Sequence, residues 1–171
     1  MVEGPLYVDA VALIALGEIQ SIELLRFVSP DVVITPEIKL EVKNSAAQLD
    51  DALHTGWIRI EAPLEAEVDR IHKLFKLHRG EAELIEVAAR LSDSNAWMLI
   101  DEGNAFDYLR LYEMTNVWCL AQVLHRLESN GFIRSSHQLM RNMEVLNVYA
   151  WAKNVRAYYD HWCEVNGVTP V

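Results

Sequence analysis

Several things are scarce in this chain, and each shortage narrows what it can be. Its 171 residues include two cysteines, Cys119 and Cys163, far apart and in no paired spacing. A disulfide framework is therefore not expected, and buried reduced thiols in a cytoplasmic protein are. Lys and Arg number 15 against 25 Asp and Glu, for a net charge of −10. That argues against a protein that grips phosphate through bases alone. A nucleic-acid enzyme fits only if some acids hold divalent cations and the bases cluster locally. No apolar run approaches the roughly 18 residues of a membrane span, so no membrane partner is expected. The opening Met1-Val2-Glu3-Gly4-Pro5 has no basic stretch before an apolar one, so no secretory signal is expected either. Internal repeats, low-complexity tracts and Gly/Pro/Ser linkers are missing. So are a Ser-His-Asp pattern, a phosphate loop and an i, i+4 histidine pair.

What is present is one domain's worth of chain in which short apolar runs alternate with helical patterns. Leu6-Tyr7-Val8 is too brief for a helix and stops at Asp9. Apolar residues from Ala10 to Phe27 fall at helical spacings. Val32-Val33-Ile34-Thr35 is β-branched and ends at Pro36, the mark of a buried strand followed by a helix start. Helices are expected from Pro36 through Val42 and on to His54, with a strand near an edge at Trp57–Ile60. Further helices are expected over Glu65–Leu77 and Glu81–Leu91, the latter turning Leu84, Ile85, Val87, Ala88 and Leu91 inward. Trp97–Ile100 is a buried strand that stops at Asp101; a helix over Asn104–Tyr112, a short run at Val117-Trp118 and a helix to Asn130 follow. Such alternation implies an α/β fold, a parallel sheet with helices on both faces. Residues 135–163 are helical, with an apolar stripe at Val148, Trp151, Val155, Tyr158 or Tyr159, and Trp162.

In an open parallel sheet, ligands bind at the carboxyl ends of the strands. Asp9 and Asp101 both stand at such ends, and Glu102 doubles the charge beside Asp101. Crowded carboxylates repel one another unless a cation neutralises them. Glu81 follows Gly80 in the first turn of its helix, where dipole compensation alone would account for it. Glu41 lies on the helix after Pro36, where a solvated face would account for it equally well. Asp107 and Glu113 read as ordinary solvated helix acids.

Four short stretches resemble, in order and spacing, the PIN domain as found in VapC-like toxins, over about residues 6–133. They are Tyr7-Val8-Asp9-Ala10 with Leu13–Leu16; Val33-Ile34-Thr35-Pro36 to Glu41-Val42; Arg79-Gly80-Glu81-Ala82-Glu83-Leu84-Ile85; and Leu99-Ile100-Asp101-Glu102, with Val117–Ile133 closing the span. The resemblance implies that Asp9, Glu41, Glu81 and Asp101 are the catalytic, metal-binding acids, with Glu102 as a further ligand. This sequence departs from the family pattern at Val11, where a small hydroxyl residue is frequent, at Glu102, where Asp is usual, and at Phe106, near which an Arg is common.

The chemistry follows from the acids. Carboxylates are poor nucleophiles toward a phosphodiester but good ligands for Mg²⁺ or Mn²⁺, which can orient and activate a water. With such acids, the resemblance implies a metal-dependent endoribonuclease, in the manner of a toxin with a cognate antitoxin. An inactive PIN-like binding module is the rival that the three departures would suit. Contacts to RNA are expected from Lys39, Lys43, Arg79 and Arg110, with Lys73 and Lys76 as further candidates. Residues 1–134 are read as the nuclease domain and 135–171 as a helical extension packed on it. Were the stripe of the extension exposed, a homodimer would bury it.

Overall fold

The computed structural model describes residues 2–91, 96–111 and 116–171. Tyr112 and Glu113 lie outside the described residues, as does the side chain of Arg110. Five strands form the sheet: β1 (Leu6–Val8), β2 (Val32–Ile34), β3 (Ile58–Ile60), β4 (Trp97–Leu99) and β5 (Val117–Trp118). All neighbours pair in parallel, in the order β3-β2-β1-β4-β5. Every residue of β1 and β2 is buried. Strands covered on both faces are apolar throughout, which is why these two stretches lack polar alternation. β3 is an edge, with Ile58 buried, Arg59 half-buried and Ile60 exposed. Arg59 binds Asp31 through Nε at 2.7 Å and also pairs with Glu61, placing charge along an open edge.

The strand order reverses between β1 and β4. From β1 the chain steps outward to β2 and β3, then crosses back to β4 and β5. The crevice at such a switch point opens at the carboxyl ends of its two flanking strands. Leu99 pairs with Val8, so the residues after these strands emerge side by side.

The helices around the sheet are α1 (Ala10–Glu18), α2 (Pro36–Glu41), α3 (Ala46–His54), α4 (Glu65–Phe75), α5 (Arg79–Leu91), α6 (Gly103–Leu111), α7 (Leu120–Ser129), α8 (Ser136–Val145) and α9 (Lys153–Asn166). No helix among the described residues is long and apolar enough to cross a membrane. Three expectations are corrected. The helix expected over Ala10–Phe27 ends at Glu18; Gln20 takes a left-handed φ of 54° and a 3₁₀ segment, Ile22–Phe27, follows. The break still buries Ile22 and Leu25, so helical periodicity alone did not reveal it. The C-terminal stripe does not lie on one helix, because Val148 and Trp151 belong to the connection between α8 and α9. Leu91 is 43% exposed rather than inward, being the last residue of α5.

Val155 and Tyr159 are fully buried, and Tyr159 packs against Trp151 at 5.1 Å between ring centroids. The stripe is thus largely core, and it does not supply the open face on which the homodimer expectation rested.

One close approach holds α1 against the start of α3. A Cβ built on Gly17 would lie 2.1 Å from Ser45 Oγ and 2.3 Å from Ser45 Cβ. Ser45 is buried and its Cβ is rigid, so relief requires a backbone shift. Gly17→Ala should destabilise the fold by about 1–3 kcal/mol, as overpacking does. Adding Ser45→Gly should restore most of the loss, since Ser45 makes no side-chain cap bond. Urea unfolding of the two variants checks this; equal midpoints for parent and Gly17→Ala would show that the contact gives way freely.

Candidate active site

Asp9 follows β1 and is the N-cap of α1. Its Oδ1 accepts the Ala12 N–H at 2.9 Å, and its Oδ2 accepts the Asp101 N–H at 2.7 Å. One carboxylate therefore ties a helix start to the end of the neighbouring strand. Asp101 repeats the pattern one strand along: its Oδ2 accepts the Leu120 N–H at 2.9 Å, at the first residue of α7. Its Oδ1 accepts the hydroxyl of Tyr149. Both acids are nearly inaccessible, at 2% and 3% exposure.

A cavity of about 290 Å³ opens in front of Asp9 and is also lined by Glu41, Glu81, Glu102, His78, Gly80 and Val11. The four acids come from four separate places: the end of β1, the last turn of α2, the first turn of α5 and the turn after β4. Asp101 is not on this wall; it stands behind Asp9 with both oxygens engaged. Gly80 lies beneath the Glu41 carboxylate where α2 and α5 meet. A Cβ there would come within 2.9 Å of Glu41 Oε1 and 3.4 Å of Ile38 Cγ1. Glu81 is anchored by the His78 N–H, which donates to its Oε2 at 2.9 Å. Dipole compensation at the start of α5 is thus part of its role, together with a place on the cavity wall.

The electrostatics are those of acids that are buried and also held close together. Burial is the main cause that raises the pKa of Asp9, and the charges of Glu102 and Glu41 add to it against the amides of Ala12 and Asp101. Burial, then the charge of Asp9, raises Asp101. Glu81 is pushed up to about 7, by burial first and then by Glu102, Asp9 and Glu41. Glu41 is raised by burial and by Glu37. Tyr149 is driven far above the usual phenol range by burial and by Asp101, so it stays a proton donor to that carboxylate.

Lys39, Lys43 and Arg79 do not line the cavity. Lys39 pairs with Asp50 at 3.3 Å, and Arg79 sits among Glu65, Asp69 and Glu83. Lys43, Lys73 and Lys76 are exposed. Arg110 lies outside what is described of the side chains. Sequence reasoning missed His78 and Tyr149. His78 was signalled only by its place just before Arg79-Gly80-Glu81. Tyr149 gave no signal, because its role depends on a turn in a stretch read as continuous helix.

The donors at the cavity are hard oxygens of mutually repelling carboxylates, the set that suits Mg²⁺ or Mn²⁺. The notch at Gly80, which a Cβ would fill, leaves room for the Glu41 carboxylate on the wall. Among the described residues, no three His, Cys, Asp or Glu side chains form a ready-made metal site. The residues fit the ion by chemistry and cavity, with Glu41, Glu81 and Glu102 long enough to adjust.

A family model described as a PIN domain matches residues 6–162. No curated protein matches the chain. The matched span runs beyond the stretch resembling a PIN domain in sequence and takes in Tyr149 and Asn154.

An acid whose pKa is raised in the folded state binds more protons folded than unfolded, so stability falls as pH rises through that interval. For Glu81 the interval runs from 4.5 to about 7. In chelator, the melting temperature should therefore fall between pH 5 and pH 8. Glu81→Gln should melt higher than the parent at pH 8, by roughly 1–2 kcal/mol once partial solvation is allowed for, with the difference shrinking toward pH 5. Parallel thermal melts across this range test it, and a parent melting temperature that holds or climbs to pH 8 would contradict it.

Proposed function

Because the chain belongs to the PIN domain family, a family of nucleases, we propose that it is a divalent-metal-dependent endoribonuclease. The observation that carries the proposal is the convergence of Asp9, Glu41, Glu81 and Glu102 on one cavity at the switch point of the sheet. These four would hold Mg²⁺ or Mn²⁺. The sequence reading placed Asp101 among the ligands and Glu102 in support. The cavity favours Glu102 on the wall and Asp101 as the acid behind, whose N–H fixes Asp9.

When bound, the metal supplies an activated water and neutralises charge on the phosphodiester. The protein's own groups do the rest. Asp9 presents a carboxylate that cannot swing, since both oxygens are held by backbone amides. Glu81 is held on the wall through Oε2, which accepts the His78 N–H, and this leaves Oε1 free to face the cavity. Burial of Asp9 and Asp101 keeps bulk water from screening these charges. The narrower form of the proposal is a toxin held in check by a cognate antitoxin; the VapC-like pattern of the four motifs supports it. Residues 135–171 belong, in this reading, to the same working unit as residues 1–134.

An inactive binding module of the same fold is the second reading. It is favoured by Val11, an alkyl side chain on the cavity wall where the family frequently has a hydroxyl, and by Phe106, which is fully buried.

Asp9→Asn should abolish cleavage of an RNA panel in Mn²⁺, whereas Asp107→Asn, on an exposed face of α6, should retain parent rates. Full activity in Asp9→Asn would end the assignment. The folded protein should also melt higher in Mg²⁺ or Mn²⁺ than in chelator, by about 2.7 kcal/mol of added stability at a hundred times the dissociation constant. Identical melting with and without metal, and no cleavage of RNA, would favour the binding module.

A further inference from the structure

The acidic turn Asp101-Glu102-Gly103 is gripped from behind by the C-terminal part of the chain. The connection between α8 and α9 reverses at Asn147, whose φ of 55° is left-handed. It then carries Tyr149 inward until only 5% of it is exposed. The Tyr149 hydroxyl donates to Asp101 Oδ1. Asn154, in the first turn of α9, donates through Nδ2 to the carbonyl oxygen of Gly103 at 2.7 Å. This second contact is close: a Cβ on Gly103 would lie 2.6 Å from Asn154 Oδ1. Two polar side chains of one short segment thus hold the residues on either side of Glu102. In front, the Asp101 N–H donates to Asp9. Glu102 is the one member of the turn whose carboxylate is left to line the cavity.

We propose that Tyr149 and Asn154 are positioning residues that brace this turn, keep Glu102 and Asp9 in place on the cavity wall, and so set the affinity for the divalent cation. The inference rests on the reading of the cavity as a metal-dependent nuclease site. A hydroxyl donated to a carboxylate is a charge-assisted bond, stronger and more directional than a neutral one. Losing it leaves a buried carboxylate oxygen without its donor, and the turn must shift to find another. Groups that hold the residues around a metal typically change metal affinity or activity by about 10–100-fold when removed.

The test compares Tyr149→Phe and Asn154→Ala with Tyr159→Phe. Tyr149→Phe keeps the ring that packs edge-on against Trp151 at 5.4 Å, and removes only the hydroxyl. Tyr159 is another buried tyrosine of the same C-terminal region, but its hydroxyl meets His125 Nε2 at 2.7 Å and the Val171 N–H at 3.0 Å, not the acidic turn. Mn²⁺ binding is measured by calorimetry without RNA, and amide hydrogen exchange is read at Asp101, Glu102 and Gly103. Tyr149→Phe and Asn154→Ala should weaken Mn²⁺ binding by about tenfold or more and speed exchange at the turn. Tyr159→Phe should lower the melting temperature while leaving both readouts at parent values. Parent affinity and parent exchange in Tyr149→Phe and Asn154→Ala would overturn the brace. So would losses of the same size in Tyr159→Phe, which would mean general destabilisation. If the parent chain neither binds Mn²⁺ nor cleaves RNA, the nuclease reading fails on its own. Exchange at the turn then decides the brace: protection lost only in Tyr149→Phe and Asn154→Ala upholds it, and unchanged protection overturns it.

Discussion

The carboxylate of Asp9 is the point on which the rest of the site depends. It is stripped of water, it faces Glu102 and Glu41, and yet it is held fast by two backbone amides that lie 89 residues apart in the chain, those of Ala12 and Asp101. Those amides belong to the start of α1 and to the end of β4. Fixing the carboxylate therefore also fixes the spacing of the two strands that flank the switch point. The fold tolerates a buried acid there because the N–H groups partly offset the loss of hydration. What they do not offset is the repulsion from the acids around the cavity, and that residual repulsion is what a divalent cation would relieve.

Helix α5 organises the other side of the cavity by similar means. Two of its acids, Glu83 and Glu86, are buried and serve as remote caps: Glu83 accepts the Glu37 N–H at 3.1 Å and Glu86 accepts the Leu64 N–H at 3.0 Å. The first holds the N-terminal turn of α2, the helix that carries Glu41; the second holds the N-cap of α4. Gly80 lies where α5 meets α2, beneath the Glu41 carboxylate, and Glu41 and Glu81 share the cavity wall there. Acids of the same helix thus do different work according to which face they occupy.

Much of this was legible in the sequence, for identifiable reasons. β1, β2 and β4 are short apolar runs that stop at Asp9, Thr35 and Ile100-Asp101, and strand ends of an open parallel sheet are where ligands sit. Asp9 could be named from its place at a strand end, whereas Glu41 and Glu81, which a solvated face and dipole compensation explain equally well, were singled out by the likeness of their stretches to the PIN pattern. The order of Asp101 and Glu102 could not be read, since adjacent acids after a strand differ only in which one the turn points outward. Tyr149 was equally hidden. Periodicity assigns a residue to an inward face of a helix, but it does not reveal that the helix breaks at Asn147, nor that an inward phenol ends on a carboxylate. The break after Glu18 escaped notice for a related reason, because Ile22 and Leu25 stay buried whether the backbone is α or 3₁₀.

Arg79 is the base nearest in sequence to the cavity wall, and its guanidinium is already surrounded by Glu65, Asp69 and Glu83. Its charge is paired within the protein, and the cavity it adjoins is lined by Asp9, Glu41, Glu81 and Glu102 on a chain whose net charge is −10. A polyanion drawn toward that mouth would first meet repulsion. Monovalent salt would then act opposite to its usual effect on nucleic-acid binding: by shortening the range of the field it would ease encounter, whereas for a basic groove it releases the bound strand. Divalent ions, bound locally, would offset the charge of the mouth itself.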